Sequence, residues 1–346
     1  MRLGFKKVTV YRSVDLAISK QAFIEASKAK PTFTAEQGAV AFARQGLGSV
    51  IEWTELAANP TNCVYKAVCC DGSYIIKIKY RKAFSLAVDF NITALLRDTT
   101  TLPVPEISVL CEDTDVFGYP YLISSLLPGT QGRDFFEMPS TSDDRRCRLL
   151  KEFGSVVAAI NGQRVSDGLL PVQDVTQWRE DIRRKLLYNQ DLVADLPEDC
   201  QAKLPIIEDL LDKIDVVPNP SPQGLLWGDA AIQNLLVDDD GHIVGIYDFE
   251  NGATGDLLHD QLHVAAEFTR KPQEIYGRDH YPQEFWAGYA EAGGVRIEPD
   301  ETYLKVRQAT MGAGLCWFWE VLGAFHPKTP QWLDDLESGL KSLVDS

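Results

Sequence analysis

The alternation of apolar and polar positions divides the chain into a strand-rich first third and a helix-rich remainder. A 3.6-residue periodicity over 33–45, stopped by the glycines of 46–48, predicts a leading helix. Alternating apolar residues predict three strands in "SVIEWTEL", "NCVYKAVCC" and "SYIIKIKY", the last two joined by an Asp-Gly turn. After a predicted helix at 84–97, "PVPEISVLCED" and "YPYLISSLLPG" predict two more strands. A small antiparallel sheet therefore opens the fold.

From about Arg133 the period changes, and long amphipathic segments predict a large helical region. Its predicted helices cover 143–163, 175–193, 198–215, 258–270, 281–294, 300–325 and 330–344. One short β-hairpin, "NLLVDDDGHIVGIYDF", interrupts them with an Asp-Gly turn. We therefore predict an α+β, two-lobed fold. It has a β-rich N-terminal lobe at 1–126 and a mainly helical C-terminal lobe at 127–346 that carries the hairpin.

Composition limits the classes of partner and the cellular compartment that are expected. The chain has 346 residues, enough for two lobes with separate cores. Its formal charge of −16 argues against binding to nucleic acid or to an anionic membrane surface. No apolar run is long enough to span a bilayer, and the basic segment 1–15 lacks a signal-peptide core. The seven cysteines form no CxxC pair, so a reduced, cytoplasmic protein is expected, with its oligomeric state left open.

The hairpin and the loop before it carry the candidate chemistry. Asp229 ends an apolar run, Asn234 opens the first hairpin strand, and Asp248 ends the second, so Asn234 and Asp248 should lie side by side. An amide oxygen and a carboxylate at one place are ligands suited to Mg²⁺. A third carboxylate nearby can orient a hydroxyl and accept its proton. Asp-x₄-Asn followed by a strand ending in Asp-Phe is the kinase-type arrangement of catalytic loop and metal-binding segment.

Phosphoryl transfer also needs a cation for the nucleotide phosphates. Lys77 lies among isoleucines on the third predicted strand, as the lysine of a kinase strand does, and Lys79 has the same parity and is the rival. By itself Lys77 would more often be a charged residue that protects a sheet edge. The chain contains neither a P-loop nor a GxSxG motif, which leaves P-loop NTPase and serine hydrolase chemistry without support.

Taken together, these motifs resemble the aminoglycoside phosphotransferase-like kinases, a family that includes hygromycin and choline kinases. The resemblance covers roughly Leu56 to Phe268 and is strongest in "WGDAAIQNLLVDDDGHIVGIYDFENGATGDLLHD". It implies a protein-kinase-like fold and a small-molecule kinase that uses ATP or GTP with Mg²⁺. "NCVYKAVCCDGSYIIKIKY" is similar to the family's nucleotide loop and lysine strand, and "YPYLISSLLPGT" to its hinge.

The resemblance implies a role for each matching residue. Asp229 would position the acceptor hydroxyl as the catalytic residue, while Asn234 and Asp248 would be the metal ligands. Lys77 and Asn62 would bind the nucleotide phosphates, and the backbone from Ser124 to Leu126 would bond the adenine. Asp256 and Asp260 would brace the catalytic loop.

Four positions depart from the family pattern. Trp227 and Gln233 replace the usual His and Gly of the catalytic loop, and the loop 55–63 has no glycine. Asn91 occupies the place of the helix acid that should pair with the lysine; Asp89 or Glu106 are the candidate substitutes. These losses leave open a non-catalytic binding or scaffold protein on the same fold, or another reaction on a metabolite.

Further positions have a functional and a structural interpretation. His259 and His263, at i and i+4, suit a zinc site or the packing of a substrate pocket. Glu250 could reach a metal or a cationic substrate, or be a solvated loop acid. The aromatic segment 316–325 suits a helix core or a pocket wall. The sequence thus predicts phosphoryl transfer to a hydroxyl of a small molecule, and the acidic helical half favours a cationic acceptor.

Overall fold

A computed structural model describes residues 30–58, 62–81, 85–166, 168–270, 273–312, 325 and 328–345. The basic segment 1–15 lies outside the described residues. So does the aromatic segment 316–325, apart from Phe325.

In the residues described, the N-terminal lobe is an antiparallel five-stranded sheet with two helices. The sheet order is β1-β2-β3-β5-β4. Its elements are α1 (Ala35–Arg44), β1 (Val50–Ala58), β2 (Asn62–Cys69), β3 (Gly72–Lys79), α2 (Leu86–Thr99), β4 (Ile107–Cys111) and β5 (Tyr121–Ser125). The predicted sheet and both predicted helices are confirmed, and Thr34 and Gln37 form a capping box that begins α1.

The period of two in β3 sorts its side chains between two environments. Ile76 and Ile78 are fully buried in the lobe's own core, with Tyr65 and Ile123. Lys77 therefore points to the opposite face of the sheet, toward the rest of the molecule. It pairs with Val64 on β2 and with Leu122 on β5, so a central strand holds it. This central position excludes the sheet-edge role.

The C-terminal lobe is mainly helical, as predicted, but it contains two small sheets. Its first half contains β6 (Thr130–Gln131), α3 (Gly132–Glu137), α4 (Asp143–Asn161), β7 (Val172–Gln173), α5 (Trp178–Ile182), α6 (Gln190–Asp195), α7 (Glu198–Gln201) and α8 (Leu204–Lys213). Its second half contains β8 (Gln223–Leu226), β9 (Leu235–Val237), β10 (Ile243–Ile246), β11 (Ala253–Asp256), α9 (Leu258–Arg270), α10 (Gln273–Tyr276), α11 (Tyr281–Glu291), α12 (Glu301–Gly312) and α13 (Thr329–Val344).

Two predictions about this lobe need correction. The hairpin is not its only β-structure: it belongs to a sheet ordered β10-β9-β6, and a second sheet is ordered β7-β11-β8. The helix predicted over 175–193 is broken into a 3₁₀ turn, α5, a π-helical turn and α6. Strands of two to four residues are too short to show alternation, which is why the pattern missed them.

The largest hydrophobic cluster joins the two lobes. Val88, Ile92 and Leu96 of α2 pack in the same core as Trp227 and Phe249, which flank the β9–β10 hairpin. A second cluster lies among α5 to α8 and α13. Helix α2 therefore belongs to the N-terminal lobe by sequence but rests on the core of the C-terminal lobe.

Two further expectations concern membrane-spanning helices and cysteine pairing. In the described ranges, no helix combines the length and the apolar character that crossing a membrane requires. The cysteines among these residues are all free thiols.

Candidate active site

The β9–β10 hairpin brings the predicted metal ligands to one end. Leu235 pairs with Ile246, and the amide of Tyr247 donates to the carbonyl of Asn234 at 3.2 Å. Asn234 ends the 3₁₀ turn Ile232–Asn234 that precedes β9, and Asp248 lies two residues beyond β10. The antiparallel register therefore brings these two positions to the same end of the hairpin, as the sequence predicted.

Asn234 ties itself to Asp229 through its amide nitrogen. Nδ2 donates to the Asp229 backbone carbonyl at 2.9 Å and to its carboxylate Oδ2 at 3.1 Å. Since the nitrogen is bonded within the loop, the carbonyl oxygen of the same amide is the atom left for a metal. The other carboxylate oxygen of Asp229, Oδ1, lies 3.1 Å from Nε2 of His263 on α9.

Asp260 holds the loop that carries Asp229. Its two carboxylate oxygens accept from the amides of Trp227 and Gly228 at 2.8 and 3.0 Å, and from Asn161 at 3.0 Å. Asp256 similarly accepts from the backbone amide of Ser221 at 2.8 Å. Both acids are buried. The contacts of Asp260 hold the loop that carries Asp229, whereas the Asp256 contact holds the segment before β8.

Lys77 is the centre of a buried ionic cluster that joins both lobes. Its ammonium lies 2.7 Å from Asp248, 2.9 Å from Asp89 and 3.5 Å from Glu250. Of the two candidate substitutes for the helix acid, Asp89 is the one that contacts the lysine. Asn91, two residues further along the helix, instead faces the carbonyl of Leu169. The carboxylate of Asp89 also accepts from the amide of Phe249 at 3.2 Å.

The cluster holds more negative than positive charge. Three carboxylates surround the Lys77 ammonium, and their attraction holds the pKa of Lys77 well above its usual value despite burial, which acts in the opposite direction. Burial, aided by repulsion from Glu250 and Asp89 and opposed by Lys77, raises the pKa of Asp248 to about 6. Burial lowers the pKa of Lys79 to about 8. A site with this excess of carboxylate fits an added cation.

Comparison with known proteins identifies this arrangement. The model of the phosphotransferase enzyme family matches residues 52–303. The chain belongs to this family.

Solved structures show the same fold at low sequence identity. A provisionally named aminoglycoside phosphotransferase from Ralstonia eutropha JMP134 is 18% identical, with a TM-score of 0.57 over 90% of this chain and 99% of that one. Spectinomycin phosphotransferase is 17% identical (TM-score 0.55, 91% and 98% covered), and macrolide 2'-phosphotransferase type I is 17% identical (0.53, 90% and 99%). No curated protein sequence matches the chain. The predicted kinase-like fold is confirmed, and the chain is a small-molecule phosphotransferase by family.

Trp227, at the position where this phosphotransferase departs from the usual His, makes a specific contact. Its indole nitrogen donates to the backbone carbonyl of Asp248 at 3.1 Å, and its fully buried ring packs on Phe249 and Phe153. Asp248 has φ of +69°, the left-handed region that costs an ordinary residue about 1–3 kcal/mol. The indole therefore helps to hold the candidate metal ligand in a strained backbone conformation.

Asn62, one of the residues predicted to contact the nucleotide, has a buried acidic partner. Asn62 is buried, and its side-chain amide donates to Glu250 at 2.8 Å. This hydrogen bond joins the start of β2 to the segment that follows the β9–β10 hairpin. Glu250 is itself only 7% exposed, so its interpretation as a solvated loop acid was wrong. The tip of the glycine-free loop, 59–61, lies outside the described residues.

The predicted hinge, from Ser124 to Leu126, is partly hydrogen-bonded within the N-terminal sheet. Ser124 is buried in β5, and the amide of Leu126 donates to the carbonyl of Ser73 at 3.0 Å. Because the amide of Leu126 is bonded within the sheet, the predicted backbone contact between Leu126 and the adenine would use the carbonyl oxygen of Leu126.

A cavity of about 240 Å³ opens beside α9. It is lined by Asp256 and His259, by Tyr303 and Arg307 of α12, and by Trp178, among others. The Arg307 guanidinium lies 3.1 Å from Nδ1 of His259, and burial together with this cation lowers the His259 pKa to about 3. His259 and His263 thus contact different partners, which favours the pocket interpretation over zinc.

Sequence reasoning missed the contacts of Trp227 and His263 and did not choose between Asp89 and Glu106. Both acids were candidate substitutes for Asn91, and spacing alone did not select Asp89. Trp227 was seen only as a loss, although an indole N–H is a donor like an imidazole N–H. His263 gave no signal of its own, because its partner lies 34 positions earlier in the chain.

Proposed function

We propose that this phosphotransferase moves the γ-phosphoryl group of ATP or GTP to a hydroxyl of a small molecule, with Asp229 as the catalytic residue. The observation that carries the proposal is the buried Lys77–Asp248 contact of 2.7 Å, which joins the lysine strand to the end of the hairpin next to Asn234. Phosphoryl transfer needs a phosphate-binding cation, metal ligands and a base at one place. These residue types occur together here.

Each side chain has a step to perform. Asp229 would orient the acceptor hydroxyl and take its proton as the oxygen attacks the γ-phosphorus and the bond to the β-phosphate oxygen breaks. Lys77 would bind the α- and β-phosphates, with Asp89 holding the ammonium in place. Asn234 and Asp248 would hold Mg²⁺, which when bound neutralises charge on the phosphates. Asn62, Ser124 and Leu126 would contact the nucleotide.

Two structural observations weaken the case for a non-catalytic scaffold protein. That alternative rested on Asn91, Trp227 and the glycine-free loop. Asp89 supplies the lysine's partner, and the Trp227 indole bonds to the Asp248 carbonyl. Among structures of the same fold, spectinomycin phosphotransferase has been solved with ADP and spectinomycin, and an aminoglycoside phosphotransferase with GDP and kanamycin. These complexes support a nucleotide and a small acceptor, and they leave the choice between ATP and GTP to experiment.

The cavity beside α9, whose lining residues do not include Asp229, would hold the part of the acceptor that is remote from its reacting hydroxyl. Its walls carry the carboxylates of Asp174, Asp181 and Asp256 as well as Lys185 and Arg307. Charged groups of both signs suit a polar acceptor that bears amines beside its hydroxyls. A panel of cationic and neutral alcohols tests this directly, and reaction with neutral acceptors alone would refute the cationic class.

Nucleotide binding and transfer together test the proposal. Thermal unfolding with ATP or GTP, with and without Mg²⁺, should show a Mg²⁺-dependent stabilisation of about 2.7 kcal/mol at 100 times the dissociation constant. Asp248→Asn should remove the Mg²⁺ dependence, whereas Asp229→Ala should keep nucleotide binding and lose transfer. Absence of any nucleotide effect on the wild-type protein would refute the proposal.

A further inference from the structure

We propose that the starts of α4 and α11 form a zinc site in which Asp143, Cys147 and His280 are the protein ligands. A carboxylate oxygen of Asp143, the sulfur of Cys147 and a ring nitrogen of His280 all lie within 4.8 Å of one another. Carboxylate, thiolate and imidazole are the side-chain groups that bind Zn²⁺ in proteins. The site shares no residue with the candidate active site, so the inference does not rest on the proposed function.

The parallel packing of two helices brings these ligands together. Asp143 is the first residue of α4 and His280 immediately precedes α11, and Nε2 of His280 lies 3.0 Å from Oδ2 of Asp143. Further along both helices, the hydroxyl of Ser155 donates to the carbonyl of Gly288 at 3.0 Å. A side chain at Gly288 would overlap the carbonyl of Lys151, so glycine is what allows this close approach. The two helix starts are therefore fixed side by side.

The two carboxylate oxygens of Asp143 have different partners. Oδ1 accepts from the hydroxyl of Tyr281 at 2.7 Å and lies 3.4 Å from Nε of Arg278. Tyr281 is fully buried, so it holds the carboxylate as the outer hydrogen-bond partner of a metal ligand does. Oδ2 is thereby directed toward His280, where a metal would bind both.

The ligand atoms need only small movements to bind zinc. With bonds of about 2.0–2.3 Å, neighbouring ligand atoms of a tetrahedral site lie about 3.3–3.8 Å apart. Asp143 and His280 are 43% and 45% exposed, so their side chains can turn without disturbing the core. Cys147 releases its thiol proton to solvent when the sulfur binds, and His280 then carries its ring proton on Nδ1. Water completes the four ligands, and Glu284, one helical turn after His280, adds negative charge on the same side of α11.

Metal titration of the protein without a polyhistidine tag tests the site. Co²⁺ is the first probe, because a bond between Co²⁺ and a thiolate gives a charge-transfer band in the near ultraviolet, and Zn²⁺ affinity follows from displacement of Co²⁺. The test variants are Cys147→Ser and His280→Gln. Since His280 is exposed, its variant should fold even if Cys147→Ser does not. The matched controls are Cys111→Ser, another half-buried free thiol, and His242→Gln, another exposed imidazole beside a carboxylate, that of Glu152.

If the proposal holds, one equivalent of Co²⁺ gives the band in the wild type and in both controls, and Cys147→Ser abolishes it. Each test variant should weaken Zn²⁺ binding at least about 100-fold, more than the roughly tenfold loss expected of Tyr281→Phe, which removes an outer partner. Zn²⁺ should raise the unfolding temperature of the wild type and of neither test variant.

Two results would overturn the proposal. Absence of the band, or wild-type Zn²⁺ affinity in either test variant, would leave only an ion pair between Asp143 and His280. Loss of the band in Asp248→Asn would place the bound metal at the candidate Mg²⁺ site instead. Retention of the band in Asp248→Asn supports a separate zinc site, whatever the outcome of the nucleotide experiments.

Discussion

Replacing Trp227 with Phe tests whether the indole N–H holds the backbone of Asp248. The change keeps an aromatic ring against Phe249 but removes the N–H that donates to the Asp248 carbonyl at 3.1 Å. A buried carbonyl left without a partner costs about 1–3 kcal/mol. Loss of the larger ring from a fully buried position adds about 1–2 kcal/mol, less than the 3–5 of a truncation to Ala. We therefore expect Trp227→Phe to lose about 2–5 kcal/mol of stability.

The effect on activity should exceed what destabilisation explains. Asp248 has φ of +69°, and without the indole its backbone can relax from the left-handed region and carry its carboxylate away from Lys77. Turnover at saturating Mg²⁺-ATP should fall at least tenfold at a temperature where the variant is still folded. Trp227→His supplies a ring N–H and should recover part of the turnover, although the smaller ring leaves the protein less stable than the wild type.

Trp53→Phe is the control for this experiment. The Trp53 indole also donates to a backbone carbonyl, that of Phe33 at 3.2 Å, and stacks on Tyr65 in the N-terminal lobe. Its loss should reduce stability and leave turnover near the wild-type value. Thermal unfolding and ATP turnover are measured on all variants. If Trp227→Phe retains turnover within twofold of the wild type, the link between the indole and the Asp248 backbone is refuted.

Three further predictions follow from the ionic groups. Asp89→Asn should lower turnover at least tenfold, because position 89 is the one that reaches Lys77. Adding Asn91→Asp to this variant should not restore turnover, and rescue by Asn91→Asp would contradict the assignment of Asp89. The Asp248 pKa is raised to about 6, and a metal ligand must be deprotonated. The Mg²⁺-dependent part of ATP affinity should therefore fall as pH drops below about 6. Calorimetry at pH 5 to 7.5 measures this affinity, and a constant value would disprove the prediction. The His259 pKa is lowered to about 3 from 6.5, so its contribution to stability is present above pH 6.5 and is lost as pH falls toward 3; His259→Gln should show a shallower loss of stability than the wild type on acidification, and equal slopes would contradict the assignment.

The features that the sequence predicted best depend on contacts between near neighbours. The hairpin, with Asn234 before its first strand and Asp248 after its second, follows from an Asp-Gly turn within 15 residues of chain. In the N-terminal sheet β1, β2 and β3 pair in chain order and β4 pairs with β5, so alternation and turn residues indicate these pairs, whereas the pairing of β3 with β5 crosses α2 and β4. By contrast, β11 pairs with β8 across about 30 residues, and neither is long enough to show a pattern.

Asp89 shows why a position two residues out of place can still be right. A shift of two residues turns a helix by about 200°, so Asp89 and Asn91 face opposite sides of α2. Which side faces Lys77 depends on how the segment before the helix leads into it and how Val88 and Ile92 pack on the C-terminal core. Neither can be read from residue spacing, and an alignment by position selects the wrong side chain.

Asp89 also links the candidate site to the packing between the lobes. One carboxylate oxygen accepts from Lys77 of the central N-terminal strand, and the other accepts from the amide of Phe249, which directly follows Asp248. Lys77 in turn contacts Asp248, so strand, helix and hairpin close a cycle of buried polar contacts. Because the same helix packs its apolar face on the core around Trp227, a change that shifts the helix disturbs the ionic cluster and the hydrophobic cluster together. Loss of the lysine's partner on this helix should therefore also loosen the contact between the lobes.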